Sequence, residues 1–366
     1  MAEITLKSLA HTYLAEPAGP EDYAIREMDH VWQQGGAYAL LGPSGCGKST
    51  LLNIISGLLQ PSSGEVLFDG RSVNALPPEE RNIAQVFQFP VVYDTMTVYD
   101  NLAFPLRNVK TPESRVHERV TEVADVLELT AQLKRKARNL TADEKQKVSM
   151  GRGLVREDVT AILFDEPLTV IDPQLKWKLR RKLKEIHRRF NITMVYVTHD
   201  QLEASTFADK IAVMYEGQVV QFGTPRELFE RPSHTFVGYF IGSPGMNFLD
   251  VALRGGAVMA GDVALPVSGA LRDAIAGARS SNVKLGIRPE FIEVHPEPVA
   301  GSVMADVEDA QDLGTYQILS LRLGEHALKA RVEEGGAVPR RTAHLRFPEE
   351  RLGLYVDDFR VEIDHE

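Results

Sequence analysis

One cysteine in 366 residues, Cys46, excludes an intrachain disulfide framework and any metal site built from several thiolates. That scarcity suits a reducing compartment. The chain also lacks any run of about 18 apolar residues, so no segment is expected to span a bilayer. Its opening, MAEITLKSLAHTYL, has no charged-then-apolar leader pattern. A basic excess is missing too: the net charge of −10 argues against nucleic-acid binding, which needs a positive footprint. Low-complexity tracts and long repeats are absent. What remains is an ordinary globular composition, with 43% apolar residues to build a large core, in a length that points to two domains.

Along the chain, strand-like and helix-like patterns alternate first. AYALLG (37–42) is a buried-strand run ending in glycine, and STLLNIISGLL (49–59) has helical apolar spacing. GEVLFDG (64–70), TAILFD (160–165) and NITMVYVTHD (191–200) read as further strands. Between the last two, Leu175, Leu179, Leu183 and Ile186 share one helical face. Strands crossing over through helices imply a parallel sheet with phosphate sites at the strand C-terminal ends. Residues of about 89–155 read as a charged helical insertion. From 246 onward, short strands between Gly, Pro and Asp predict an all-β barrel region, with 13 Lys and Arg against 20 Asp and Glu. The expected division is therefore 1–240 and 246–366.

Two motifs carry phosphate chemistry. GPSGCGKST runs from Gly42 through Pro43, Ser44, Gly45 and Cys46 to Gly47, Lys48, Ser49 and Thr50. Glycines allow backbone N–H groups to turn inward around phosphates, and the helix that follows adds its positive end. Lys48 is placed to reach the β- and γ-phosphates of a nucleotide, and the Ser49 hydroxyl to bind Mg²⁺. ILFDEP ends a strand on Asp165, suited to hold Mg²⁺ through water, and on Glu166, suited to orient or deprotonate a water. An acidic pair after a strand is also a common helix cap; beside a phosphate loop the chemical reading is preferred.

The order of phosphate loop, VFQ, a signature-like segment, ILFDEP, LTVIDP and VYVTHD resembles the ATP-binding subunits of ABC transporters. KLGIRPEFIEV is similar to the TOBE barrels of carbohydrate-importer ATPases of the maltose and glycerol-3-phosphate type. The fold class implied is α/β: a P-loop NTPase sheet domain with a helical insertion, plus a C-terminal all-β OB-like (TOBE) barrel region. The resemblance implies ATP and Mg²⁺ as cofactors, with Ser49, Gln88 and, through water, Asp165 at the metal. It also implies that Tyr13 stacks on adenine, although packing at a strand edge would explain Tyr13 as well. Gln88 would sense the γ-phosphate, and FPVVYDTMTVYDNLAFPLR after it would receive a coupling helix of a permease. His199 would clamp the γ-phosphate and the attacking water. Asp172 would communicate across a dimer, or cap the next helix ahead of Pro173, or both. Implied partners are a second ATPase subunit, two membrane permeases and, indirectly, a periplasmic or extracellular solute-binding protein. The implied location is peripheral, on the cytoplasmic face of the inner membrane.

In this family a Leu-Ser-Gly-Gly-Gln signature from one subunit closes over the other's ATP. Here the aligned residues are Leu140, Thr141, Ala142, Asp143 and Glu144. Thr141 and Glu144 keep a capping-box pattern, so the helix is expected to start here. Ala142 and Asp143 are expected to resist the positive φ and close approach that glycine permits. At ~5 Å from a phosphate charge, one carboxylate costs about 1–3 kcal/mol, unless Lys145 or a partner cation offsets it. This favours a heterodimer over a homodimer, and the combination is similar to glycerol-type importers with two different ATPase subunits, so glycerol or a glycerol-3-phosphate-like solute is the favoured cargo. A regulatory subunit with little turnover, and a non-transport ABC ATPase acting on nucleic acid, are the alternatives. Intact Glu166 and His199 oppose the first, and the acidic barrel region opposes the second.

Overall fold

The computed structural model describes residues 2–363 apart from Asp158, Val170 and Ala337. The chain forms two compact units, Met1–Pro225 and Arg226–Glu366. The first begins with β1 (Ile4–Thr12), β2 (Tyr23–Trp32), β3 (Ala37–Leu41), α1 (Lys48–Ser56), β4 (Ser63–Phe68), β5 (Arg71–Ser72) and β6 (Ile83–Val86). Three helices follow: α2 (Val98–Asn108), α3 (Glu113–Val126) and α4 (Ala142–Leu154). It closes with β7 (Ala161–Asp165), α5 (Pro173–Phe190), β8 (Met194–Thr198), α6 (Gln201–Phe207), β9 (Lys210–Tyr215) and β10 (Gln218–Gly223).

Two sheets organise this unit. An antiparallel sheet runs β2-β1-β4-β5, and a six-stranded sheet runs β10-β9-β3-β8-β7-β6. Within the larger sheet β9, β3, β8, β7 and β6 pair in parallel, while β10 is an antiparallel edge. Every residue of β3 and β8 is buried, which is why both read as unbroken apolar runs rather than alternating ones. Register aligns the C-terminal ends of four neighbours: Leu41 pairs with Thr198, Val197 with Asp165, and Phe164 with Val86. Whatever follows those strands is delivered to one edge of the sheet.

The helices between β6 and β7 pack on one another through small residues. A Cβ added at Gly151 of α4 would meet Leu102 Cδ2 of α2 at 2.5 Å, so a side chain there would require Leu102 to shift. Buried Arg119 of α3 donates to the Leu154 and Val155 carbonyls at 2.7 and 3.2 Å, satisfying the end of α4.

One core histidine has a measurable consequence. His30 lies edge-on between Trp32 and Phe222, both ring centroids 4.6 Å away, and burial lowers its imidazole from 6.5 to about 4. The unfolded chain therefore binds the extra proton first as pH falls through 6.5, and the folded state loses stability until about pH 4. The loss reaches roughly 3 kcal/mol at its limit. His30→Phe is expected to flatten that part of the stability–pH curve in urea titrations; an unchanged curve would assign the loss to other groups.

The second unit is mainly antiparallel sheet: one of four strands, one of three and one of five. The five-stranded sheet places Val303, Ala305, Leu319, Leu321 and Leu345 in a common apolar core with Leu285 and Ile287. Its start at Arg226 lies ahead of the junction expected near 240–246. The reason is Arg288, buried and donating from Nε to the Phe229 carbonyl at 2.6 Å, with Nη1 on Gly238 and Ile241. The barrel region is not wholly β: Gly269–Gly277 is a helix, N-capped by Ser268 and burying Leu271 and Ile275.

Candidate active site

The phosphate loop leaves β3 at Gly42 and enters α1 at Lys48. Two glycines are required sterically. A Cβ at Gly42 would meet the Met214 carbonyl at 2.3 Å, and one at Gly47 (φ +101) the Ala24 carbonyl at 2.3 Å. Cys46 is buried beneath the loop, where burial raises its thiol above the ordinary value. The Lys48 ammonium donates to the Gly42 and Pro43 carbonyls, each at 2.8 Å, so it sits at the loop mouth with acceptors already arranged. The far end of α1 is held by Arg81, fully buried, donating to Ile54 and Ile55 carbonyls at 2.8 and 3.1 Å. A cation at the C-terminus complements the helix whose N-terminus faces the loop.

Ser49 and Asp165 meet across the strand ends, the hydroxyl donating to Oδ1 at 3.0 Å. Burial raises the Asp165 carboxyl, the Ser49 hydrogen bond and Lys48 oppose that rise, and Glu166 adds to it. One hydroxyl and one carboxylate form a donor set suited to Mg²⁺, which keeps several of its waters. Among the described residues no group of three or more His, Cys, Asp or Glu could hold a metal by itself. The loop glycines, Lys48 and this pair thus fit a triphosphate with its cation.

Glu166 has a left-handed backbone, φ +45, unusual for a non-glycine residue and found where surroundings enforce it. Its N–H donates to the Val197 carbonyl at 3.1 Å, and Thr169 Oγ1 donates to its carbonyl at 3.0 Å. These contacts turn the carboxylate toward β8. His199 Nδ1 lies 3.2 Å from Glu166 Oε1, with the imidazole half-exposed. Gln88 follows β6 by two residues at the same sheet edge, and the carbonyl of Phe87 before it accepts from Gln146 of α4 at 3.1 Å. Tyr13 is largely exposed; its hydroxyl is 3.1 Å from Thr50 Oγ1 in the first turn of α1, and its ring is edge-on to His11. Asp172 N-caps α5, accepting from Gln174 N at 2.9 Å. The structure therefore brings Tyr13, Gly42–Thr50, Gln88, Asp165, Glu166 and His199 to one edge.

Thr141–Glu144 open α4 apart from that cluster. Thr141 Oγ1 accepts from Glu144 N at 3.2 Å while Glu144 Oε2 accepts from Thr141 N at 2.9 Å, a complete capping box. Ala142 and Asp143 lie in the first turn of an ordinary right-handed helix, where no positive φ is demanded of them. Nor are the carboxylates bare. Asp143 pairs with Lys147 at 3.3 Å, and Glu144 with Arg135 at 3.2 Å. Lys145, the expected offset, is bound to Asp94 at 2.9 Å instead.

One residue escaped the sequence reading. Glu203 is 4% exposed and lies beneath the His199 loop; as the third residue after the cap Asp200 it reads as a helix-start acid. Arg152 donates to the Val91 carbonyl and stacks on Tyr93, 4.6 Å from the ring centroid. It helps form a cavity of about 450 Å³ with Phe87, Val91, Phe104, Val109 and Ser149. No helix among the described residues is long and apolar enough to cross a membrane.

Residues 25–169 match the ABC transporter family model, and residues 242–292 the MalK OB fold domain model. The sn-glycerol-3-phosphate import ATP-binding protein UgpC of Bordetella avium is 38% identical over 331 residues, 90% of this chain and 89% of that one. The trehalose/maltose import ATP-binding protein MalK of Thermococcus litoralis is 42% identical over 316 residues, 82% and 84% of the two chains. Among solved structures, cbiO1 from Clostridium perfringens, part of the ABC transporter complex cbiONQ, matches with a TM-score of 0.56 at 27% identity. That match covers 62% of this chain and 90% of cbiO1.

Proposed function

The chain belongs to the ABC transporter family as an ATP-hydrolysing import subunit that works with permeases, and we propose that it energises uptake of a carbohydrate or polyol, with a glycerol-3-phosphate-like solute favoured. The names of its relatives support that solute class. The observation that carries the catalytic reading is the 3.2 Å contact of His199 with Glu166 beside the phosphate loop.

Bound ATP with Mg²⁺ would supply the phosphoryl group and the divalent charge that neutralises it. Lys48 would exchange its two loop carbonyls for β- and γ-phosphate oxygens, and Ser49, Gln88 and, through water, Asp165 would hold the metal. Glu166 takes the proton of the attacking water while His199, braced against it, holds that water and the γ-phosphate. Tyr13 stacks on the adenine above Thr50. The cavity at Phe87, Val91 and Arg152 receives the permease's coupling segment, which places the subunit peripherally on the cytoplasmic face of the inner membrane. A solute-binding protein outside the membrane joins the complex indirectly. We propose residues 1–240 as the segment carrying the ATP-binding function, of which 226–240 fold with the second compact unit, with a helical subdomain at 89–155, and 246–366 as a regulatory domain.

Two ATP-binding subunits then close over the nucleotides, Thr141–Glu144 facing the partner's ATP and Asp172 meeting the partner. An unlike partner finds no support among the relatives. Its electrostatic ground also weakens once Asp143 and Glu144 are paired within the chain, so the proposed partner is a second copy. With Glu166→Gln and ATP present, light scattering is expected to give twice 40.6 kDa; a monomer that dimerises only with a different ATPase would restore the heterodimer. Co-purification with permeases and ATP-dependent solute uptake in vesicles test the function itself, and uptake that proceeds without this subunit would refute it.

A further inference from the structure

Behind the His199 loop lies a buried carboxylate whose contacts reach two different parts of the site. Glu203 Oε2 accepts from the Tyr196 hydroxyl and from the Thr198 hydroxyl, each at 3.0 Å. Its other oxygen lies 3.3 Å from Lys176 Nζ and 3.7 Å from Arg180 Nη1, both on α5. Thr198 Oγ1 also accepts from Asp200 N at 3.0 Å, and Asp200 Oδ1 accepts from Leu202 N and Glu203 N at 2.7 and 3.1 Å. His199 is therefore flanked by Thr198, which bonds this carboxylate, and by Asp200, which bonds the Thr198 hydroxyl and the Glu203 N–H. Lys176 stands in the first turn of α5, its N–H donating to the Asp172 carbonyl at 3.0 Å.

A buried carboxylate with one oxygen hydrogen-bonded twice and the other held only by the charges of Lys176 and Arg180 is costly to assemble, and partial disassembly leaves a buried charge unmatched. The network therefore behaves as a stiff unit rather than a set of independent contacts. Burial, with the Glu203 charge beside it, pushes the Tyr196 phenol well above its ordinary value, so that hydroxyl remains a donor across the working pH range.

Resting on the catalytic reading of His199 above, we infer that Glu203 is a positioning residue: it holds the Thr198–Asp200 turn so that His199 meets Glu166, and it ties that turn to the Asp172 end of α5. A displacement of the Asp172 loop by a partner subunit is thereby carried to the imidazole through Lys176 and the carboxylate. Glutamine at 203 could still accept both hydroxyls, but its amide would face Lys176 and Arg180 with no anion for them.

The test is steady-state ATPase kinetics of the full chain. Glu203→Gln is expected to lower kcat about tenfold or more with KM for ATP changed less than twofold. In a His199→Ala background the same substitution is expected to cost less than a further twofold, because its effect passes through the imidazole. Equal losses in both backgrounds, or a KM that rises in step with the fall in kcat, would make Glu203 a general fold element and overturn the inference. Should Glu203→Gln fail to fold, Lys176→Met and Tyr196→Phe each remove one contact and are expected to show the same dependence on His199. Wild-type turnover in His199→Ala alone would instead remove the catalytic reading, whereas impaired His199→Ala beside a normal Glu203→Gln removes only this inference.

Discussion

Glu166→Gln is expected to lower ATP turnover by about 10²–10⁴-fold while ATP affinity stays within a few-fold of the native chain. The substitution keeps the shape of the side chain and a carbonyl oxygen facing His199 Nδ1, so the backbone arrangement at φ +45 is preserved. It removes the only feature a general base needs, a lone pair that can hold a proton at neutral pH. Lys48, Ser49 and Asp165 are untouched, which is why binding persists. Phosphate release from the full chain under saturating ATP measures the effect, with nucleotide binding followed in parallel. Turnover within threefold of native would remove Glu166 from the reaction.

Arg288→Met is expected to be the most damaging single change in the second unit, costing about 3 kcal/mol. Arg288 is 1% exposed. Burial lowers its guanidinium to about 10, so it is still charged near neutrality. It donates to the Phe229, Gly238 and Ile241 carbonyls and lies 4.0 Å above the Phe229 ring. Methionine would fill much of the volume but leave the Phe229 and Ile241 carbonyls without this donor, at roughly 1–3 kcal/mol each before relaxation, while the Gly238 carbonyl keeps the Met246 N–H at 3.0 Å. Arg288→Lys is expected to recover only part, because one ammonium cannot span carbonyls that a planar fork reaches together. Urea unfolding, with hydrogen exchange followed over residues 226–242, distinguishes the cases. Native midpoints for both variants would show that water or backbone shifts satisfy the carbonyls.

Family and fold class were legible because their signals are local. The phosphate loop is nine consecutive residues whose spacing is itself the geometry of a turn around phosphate. ILFDEP and MVYVTHD each couple a buried-strand run to the residue at its tip. The capping box at Thr141 and Glu144 was legible for the same reason, since both partners lie within one helical turn. The helix at Gly269–Gly277 was not, because its apolar face amounts to Leu271 and Ile275 amid residues that also favour turns.

The charge of the signature segment shows where local reading ends. Lys145 stands next to Glu144 in sequence yet points to Asp94, while Glu144 is matched by Arg135 from a preceding turn. Only the Asp143–Lys147 pair has the i, i+4 spacing that a helix dictates. Glu203 is a sharper case. Its position predicts an exposed helix-start acid, and burial against β8 and α5 makes it the centre of a network instead.

By itself, then, the sequence determined which groups are available: a phosphate-cradling loop, a strand-end acid pair, a strand-end histidine and a capped helix. These follow from bonds and contacts a few residues long. Tertiary structure alone decided that β3, β8, β7 and β6 lie side by side with their ends in register, and hence that Lys48, His199, Glu166 and Gln88 share one edge. Strand order and buried charge pairing arise from packing between segments tens to more than a hundred residues apart, and no local pattern records them.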